Sequence, residues 1–306
     1  MSFSSFTVKT PASTANLGPG FDSIGLALPV IQSIHVESHS AWKVSYKGKE
    51  FQHLPTDETN LILKTIQKVA KDAGKSCPEA ALTVSSEIPL SKGLGSSAAA
   101  IAAGITIADR LMNLQLSTDE QIRAASAIEG HPDNVSASLT GGLTVSRFED
   151  DELVSVSIPV EGFSVLIMAP EEELETEESR GVLPEEMTHR SAVLTSAAAN
   201  VLVASLITGD FNKAGKVMMK DTFHEPYRKA FFPQLEAIKE TACYAGAFAV
   251  TISGAGPCIS VFAENAKTGL IAERLGNQFA GFQIMTLKPV NQGTLITEHH
   301  VNRLSV

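Results

Sequence analysis

Pro89-Leu-Ser-Lys-Gly-Leu-Gly-Ser-Ser-Ala-Ala-Ala100 is the stretch around which this chain is arranged. Upstream, Ala81–Ser86 alternates like a strand. Downstream, an alanine-rich run predicts a helix from about Ser96 to Asn113. Gly93 and Gly95 permit a sharp turn and remove side chains that would block a bulky ligand. Ser96 and Ser97 fall where the helix begins, so their hydroxyls and the first free N–H groups face one space. The helix dipole favours an anion there by about 0.3–1 kcal/mol per nearby charge. The stretch reads as a phosphate cradle built from backbone. Taken alone it is equally an ordinary tight turn and N-cap.

It is not a Walker A loop, because its lysine precedes the glycines instead of following them. Gly74-Lys75-Ser76 has the Walker ending, but Val69 stands where the first glycine belongs. Bulk properties narrow the class. With 306 residues the chain has room for two domains and an unstapled core. A net charge of −10 argues against a nucleic-acid partner, since that binding rests on cationic surface. Cys77, Cys243 and Cys258 show neither paired nor metal-ligand spacing and read as thiols of a reducing compartment. The first stretch carries no signal peptide, and the longest apolar run, Ala98–Ala108, is too short to span a membrane. The expectation is a cytoplasmic protein without membrane contact.

Working outward, Phe6–Lys9 predicts a strand that enters Thr10-Pro-Ala-Ser-Thr-Ala-Asn-Leu-Gly-Pro-Gly-Phe-Asp22, a rigid loop of small residues holding Asn16 and Asp22. Trp42–Tyr46 alternates as a strand, and Asn60–Ala73 carries a helical stripe. Ser117-Thr-Asp-Glu120 opens a helix to about Ile128. Glu129-Gly-His-Pro-Asp-Asn134 then breaks the pattern, and Leu143–Phe148 and Phe163–Met168 read as strands. Helices are expected at Thr188–Thr208, Asp210–Met219 and Pro233–Ala242. They are followed by strand Ala247–Ile252, loop Ser253–Pro257, strand Cys258–Phe262, helix Lys267–Gln278 and strand Gln283–Leu287. The order is that of an α+β chain, divided into domains 1–155 and 156–306. The acidic run Glu171–Glu178 reads as a solvated face.

Three glycine loops thus stand in order: Pro11–Asp22, Pro89–Ala100 and Ser253-Gly-Ala-Gly-Pro257. Their conjunction over essentially the whole chain resembles the GHMP kinase superfamily (galactokinase, homoserine kinase, mevalonate kinase, phosphomevalonate kinase). Pro11–Asp22 with His131-Pro-Asp-Asn134 is similar to the homoserine kinase family in particular. The resemblance implies two parts: an N-terminal, ATP-binding domain like domain 2 of ribosomal protein S5, and a C-terminal ferredoxin-like domain. It also implies ATP-dependent phosphorylation of the side-chain hydroxyl of L-homoserine to O-phospho-L-homoserine, a step toward threonine. Mg²⁺ is the implied cofactor and a homodimer the implied assembly.

Site residues follow from the same resemblance together with the chemistry of the ligands. Leu90, Ser91, Lys92, Gly93, Leu94, Gly95, Ser96, Ser97, Ala98, Ala99 and Ala100 would hold the nucleotide phosphates, with Asn60 lining the adenine pocket. Ser97 and Glu129 offer hard oxygen ligands for Mg²⁺. Asn16 and Asp22 suit the ammonium and hydroxyl end of homoserine, and His131 and Asn134 approach from the second segment. Arginine forks suit its carboxylate: Thr176-Glu-Glu-Ser-Arg180 and Glu225-Pro-Tyr-Arg228 match the family's frames. Gly254 and Gly256 would close over the substrate. The other histidines, His224 and His300 among them, have no such frame and read as structural.

One position departs from relatives such as mevalonate kinase. Asn134 stands where they place a catalytic aspartate, and an amide cannot take up a proton. Direct attack by an oriented hydroxyl is therefore expected, with Ser97, Glu129, Asn134 and Arg180 as the catalytic set. The arginines leave mevalonate open as a substrate, while Asp22 argues against it because a carboxylate left unpaired penalises a ligand without an ammonium. A ligand sensor that has lost the chemistry is the alternative from another class.

Overall fold

The computed structural model describes residues 3–299; His300 lies outside them. Strands β1 (Phe6–Ala15), β2 (Ile24–Ser38) and β3 (Lys43–Lys47) come first, then helix α1 (Leu61–Asp72) and strand β4 (Ala80–Ser86). Three helices follow: α2 (Ser96–Met112), α3 (Thr118–Glu129) and α4 (Asp133–Thr140), leading to β5 (Leu143–Glu149) and β6 (Glu152–Ile158). The next part runs β7 (Phe163–Pro170), α5 (Thr176–Gly181), α6 (His189–Ile207), α7 (Phe211–Met218), α8 (Glu225–Arg228) and α9 (Leu235–Tyr244). It closes with β8 (Ala249–Ile252), β9 (Ile259–Glu264), α10 (Thr268–Gln278), β10 (Phe282–Leu287) and β11 (Leu295–Glu298).

The first sheet runs β11-β1-β2-β4-β3, with β5 and β6 attached through β2. The second runs β10-β7-β9-β8, so its strands, taken in chain order, lie 4-1-3-2, the ferredoxin-like arrangement. β1 is longer than the expected Phe6–Lys9. Its register shifts between Pro11 and Ala12, and the small residues to Ala15 continue pairing with Leu28–Gly25 of β2. A bulge is where a strand tolerates proline, which donates no N–H. Thr10 to Ala15 is therefore buried sheet and not loop.

Packing follows the patterns of the elements. Helix α1 turns Ile62, Leu63, Ile66, Val69 and Ala70 inward, an apolar stripe against α2 and the sheet. α2 is buried nearly all round, which only its run of alanines and Gly104 permits. A second apolar cluster joins Leu26, Leu94 and Ala99 of the first part to Val165, Leu202 and Met218 of the second. This seam runs beneath the glycine loops and fixes them relative to both sheets. Burial pushes the Cys77 thiol up to about 11 and the Cys258 thiol up to about 12, so both stay protonated and inert.

Helix α6 differs from the expectation drawn from apolar run lengths. It is 19 residues long and apolar enough by composition to cross a membrane. It buries Thr195, Ala198, Leu202, Ser205 and Leu206 on one face and exposes Val193, Leu194, Val201 and Ile207.

Candidate active site

The three glycine loops meet, and hydroxyls and main chain join them. Ser13 N–H donates to Leu94 O at 3.1 Å, and Ser253 Oγ donates to Gly93 O at 2.7 Å. Thr14 Oγ1 lies 2.9 Å from Ser253 Oγ, and Gly254 N–H donates to Ala15 O at 3.2 Å. Two glycines are required by contact as well as by conformation. Gly93 has φ +73°, and a Cβ there would stand 2.2 Å from Ser253 O. Gly95 has φ +70°, and its Cβ would stand 2.4 Å from Ser13 Oγ. Gly95 is also the N-cap of α2 and caps with no side chain. The serine hydroxyls expected to cap are therefore free for other partners.

Between the loops lies a cavity of about 600 Å³, large enough for a nucleotide and a small second ligand. Residues 90–97 and Ala100 line it. Ala98 and Ala99 do not: their side chains are wholly buried in the core. Lys92 reaches the wall, but its ammonium donates to the carbonyls of Glu171 (2.7 Å) and Glu172 (2.5 Å) and is not free for the phosphate contact expected of it. The same contact corrects the reading of the acidic run as a merely solvated face. Leu174 is buried, its N–H donates to Ser91 O at 3.3 Å, and Glu173 and Glu175 line the cavity.

At the mouth of α2, Ser97 Oγ donates to Glu129 Oε2 at 2.8 Å. Burial raises the Glu129 carboxyl above the usual range, and the Ser97 bond only partly offsets it. A hydroxyl and a carboxylate side by side, at a helix N-terminus that faces the cavity, fit a hard divalent ion. The far wall is Asn60, Tyr46, Phe51 and Gln32. Asn60 has no free valence for a base. Its Oδ1 accepts from Ile62 and Leu63 N–H as the cap of α1, and its Nδ2 donates to Tyr46 Oη and Pro55 O, both at 2.7 Å. Asn60 shapes this wall by holding Tyr46. Gln32, unremarked in the sequence, has a buried Nε2 without a partner.

The other end of the cavity gathers the charges. Arg180 Nη1 and Nη2 donate to the two oxygens of Asp22 at 3.1 and 2.5 Å, a bidentate pair. Asp22, His131 and Asp133 bring ligand atoms within 4.8 Å of one another. Asn16 donates through Nδ2 to Gly254 O at 3.0 Å and accepts Asp22 N–H at 3.0 Å. Asn16 thereby ties the first loop to the third, and φ values of +71° at Asn16 and +53° at Asp22 mark the strained turn. Asn134 accepts Ser13 Oγ at 2.9 Å through Oδ1, which leaves its NH₂ to present.

Arg228 is only 1% exposed. Its Nε donates to Ser179 O at 3.1 Å and its Nη1 to Gly254 O at 3.0 Å. Arg228 therefore offers the cavity one nitrogen and not the full fork expected of it. Burial and the nearby Arg180 hold its pKa down to about 10. Thr176 and Gly254 line the cavity. Gly256 does not; a Cβ there would stand 2.3 Å from the Phe232 ring. Phe21, missed although it sits inside the quoted loop, lies under both arginines, with their guanidinium carbons at 5.5 and 5.6 Å from its centroid.

His131 Nδ1–H donates to Asp133 Oδ1 at 2.7 Å. Burial lowers its pKa, but the Asp133 bond and charge outweigh it, so the net shift is upward. The stability supplied by this pair is thus complete below the ordinary histidine pKa and is lost as pH rises through the raised one. The Tm gap between wild type and Asp133→Asn is expected to be widest near about pH 6 and to narrow toward about pH 9. Thermal unfolding across that range measures it, and a gap that widens with pH contradicts the assignment.

A glycine cradle, a hydroxyl–carboxylate pair and a ferredoxin-like second part define the class. Residues 60–142 match the family described as GHMP kinases N terminal domain, and residues 202–281 match GHMP kinases C terminal. The chain belongs to the GHMP kinase family. Its relatives narrow this. It is 40% identical over 297 residues to a homoserine kinase of Bacillus licheniformis, covering 97% of each chain. It is 41% identical over 299 residues to one of Bacillus mycoides, covering 96% of this chain and 98% of that one. The solved homoserine kinase of Cytophaga hutchinsonii superposes with TM-score 0.87 at 26% identity, covering 96% of this chain and 98% of that chain.

Proposed function

We propose that the protein transfers the γ-phosphoryl group of ATP to the side-chain hydroxyl of L-homoserine. The observation that carries this is the division of one cavity. One end offers backbone N–H groups and the Ser97–Glu129 pair, and the other offers Asp22, Arg180, Arg228, His131 and Asn134. Only a zwitterionic acceptor uses both signs of charge at that second end. Asp22 takes the ammonium, Arg180 and the free nitrogen of Arg228 take the carboxylate, and the Asn134 NH₂ orients the hydroxyl. The loop between Leu90 and Ser97 holds the triphosphate. Ser97 and Glu129 would hold Mg²⁺, which spreads charge over the transferring group.

The hydroxyl oxygen attacks the γ-phosphorus, the bond from phosphorus to the β–γ bridging oxygen breaks, ADP departs, and the hydroxyl proton passes to the phosphoryl oxygens or to water. Positioning and electrostatics supply the acceleration. On this reading Asp133 holds His131 and the start of α4, since its Oδ1 accepts from His131 and from Asn134 N–H. Asp133→Asn is expected to keep at least about a tenth of wild-type kcat, since it removes no proton acceptor from the step. A loss of several orders at unchanged homoserine affinity would make Asp133 the base.

ATP consumption with Mg²⁺ across L-homoserine, mevalonate, galactose and no acceptor tests the reading. Turnover with L-homoserine alone is expected. Turnover with another acceptor discards the roles given to Asp22 and His131, and nucleotide binding without turnover makes the protein a sensor. A cytoplasmic homodimer remains the expectation from the family, and the exposed Val193, Leu194 and Val201 of α6 are the surface on which to test it. Leu194→Glu with Val201→Glu is then expected to convert dimer to monomer in sedimentation. A monomeric wild type, or one that pellets with lipid vesicles, removes that surface from the assembly.

A further inference from the structure

Below the amino-acid end of the cavity lies a residue that no role above uses. His224 is fully buried, its ring stacked on Phe21 with centroids 5.4 Å apart. Both its nitrogens are engaged, in opposite senses. Nε2 lies 3.0 Å from Gly18 O, and Nδ1 lies 3.1 Å from Nη1 of Arg228. A carbonyl only accepts and a guanidinium only donates. Nε2 therefore carries the proton and Nδ1 offers its lone pair, which is one tautomer of a neutral imidazole. The charged groups facing it are Asp221, with Oδ2 at 3.5 Å, then Arg228 and, further off, Asp22. Burial lowers its pKa, in keeping with the neutral form. Asp221 in turn accepts the N–H groups of Phe223, His224 and Glu225 at 2.7, 3.1 and 2.7 Å, which fixes the backbone that carries the ring.

We propose that His224 is the positioning residue of the amino-acid site. It clasps the first glycine loop through Gly18 with one nitrogen and Arg228 with the other, and so sets the distance between the Asp22 carboxylate and the free Arg228 nitrogen. That distance selects a ligand with an ammonium and a carboxylate on one carbon. The inference rests on the functional reading above and adds a residue that touches neither substrate.

Two substitutions separate the arms. His224→Gln places an amide NH₂ near the Nε2 position and keeps the bond to Gly18 while losing the acceptor for Arg228. His224→Asn places an oxygen near Nδ1 and does the reverse. His224→Gln is expected to raise the KM for L-homoserine about tenfold with the KM for ATP within about twofold, and His224→Asn to raise it less. The preference for L-homoserine over its carboxamide is expected to fall in His224→Gln, a readout that mere destabilisation would not move. Tm values for both variants identify any that fail to fold. If folded variants keep the preference and a homoserine KM within about twofold of wild type, the proposal is overturned. It is overturned equally if the KM values for homoserine and ATP rise together. A wild type inactive on homoserine overturns the functional reading and this inference with it.

Discussion

Arg180→Ala is expected to lower kcat/KM for L-homoserine by about two to three orders of magnitude while the KM for ATP stays within about twofold. The substrate carboxylate gives up its bidentate partner. Asp22, which Arg180 grips through both oxygens, is released for the ammonium, so the loss falls on the carboxylate alone. Truncating one member of such a hydrogen-bonded pair costs about 2–5 kcal/mol, which spans the expected range. Arg180→Lys should recover little, because an ammonium cannot meet two oxygens in one plane as the guanidinium does. Steady-state kinetics with each substrate varied in turn decide the matter. Equal losses for homoserine and ATP would mean that Arg180 supports the cavity as a whole.

Glu129→Gln is expected to lower kcat by about three orders of magnitude with the KM for homoserine changed only a few-fold. The amide keeps the size and still meets Ser97 Oγ but carries no charge for a cation. Burial has already raised the carboxyl pKa, so protons and metal compete for it, and metal affinity should weaken as pH falls. Mn²⁺ binding in the presence of ATP, followed by its spin signal, gives a readout apart from turnover. Unchanged Mn²⁺ affinity in Glu129→Gln would take this residue out of the metal site.

Sequence made the ligand-facing loops legible because their chemistry is local. Glycines, a helix start and a Gly-His-Pro break announce themselves over a few residues. Contacts between distant residues were not legible. Asp22 and Arg180 are 158 positions apart, and both were assigned to substrate, but nothing in either segment says that they grip each other. Helix α4 was missed because Asp133 to Leu139 are all buried, so no apolar stripe marks it. Strand β11 was missed because it is four exposed residues whose partner, β1, lies at the opposite end of the chain. Ala98, Ala99 and Gly256 were assigned with their motifs, and only their surroundings showed that they face away. Asn60 and Lys92 both line the cavity, but their polar atoms are held by protein partners that no local pattern announces. His224 had a signal available, since it immediately precedes the Glu225-Pro-Tyr-Arg228 frame.

The Asp22–Arg180 pair holds, at contact distance, the same two charges that an amino acid brings with it. Arrival of the amino acid is then a change of partners: four ions re-sort into two new couples, and none is left bare at any stage. A ligand with only one of the two charges breaks the resident couple and satisfies half of it. A neutral ligand has no reason to break it at all. If Asp22 and Arg180 hold the amino acid as proposed, sugars and simple alcohols are refused by this ion pair before any shape is compared.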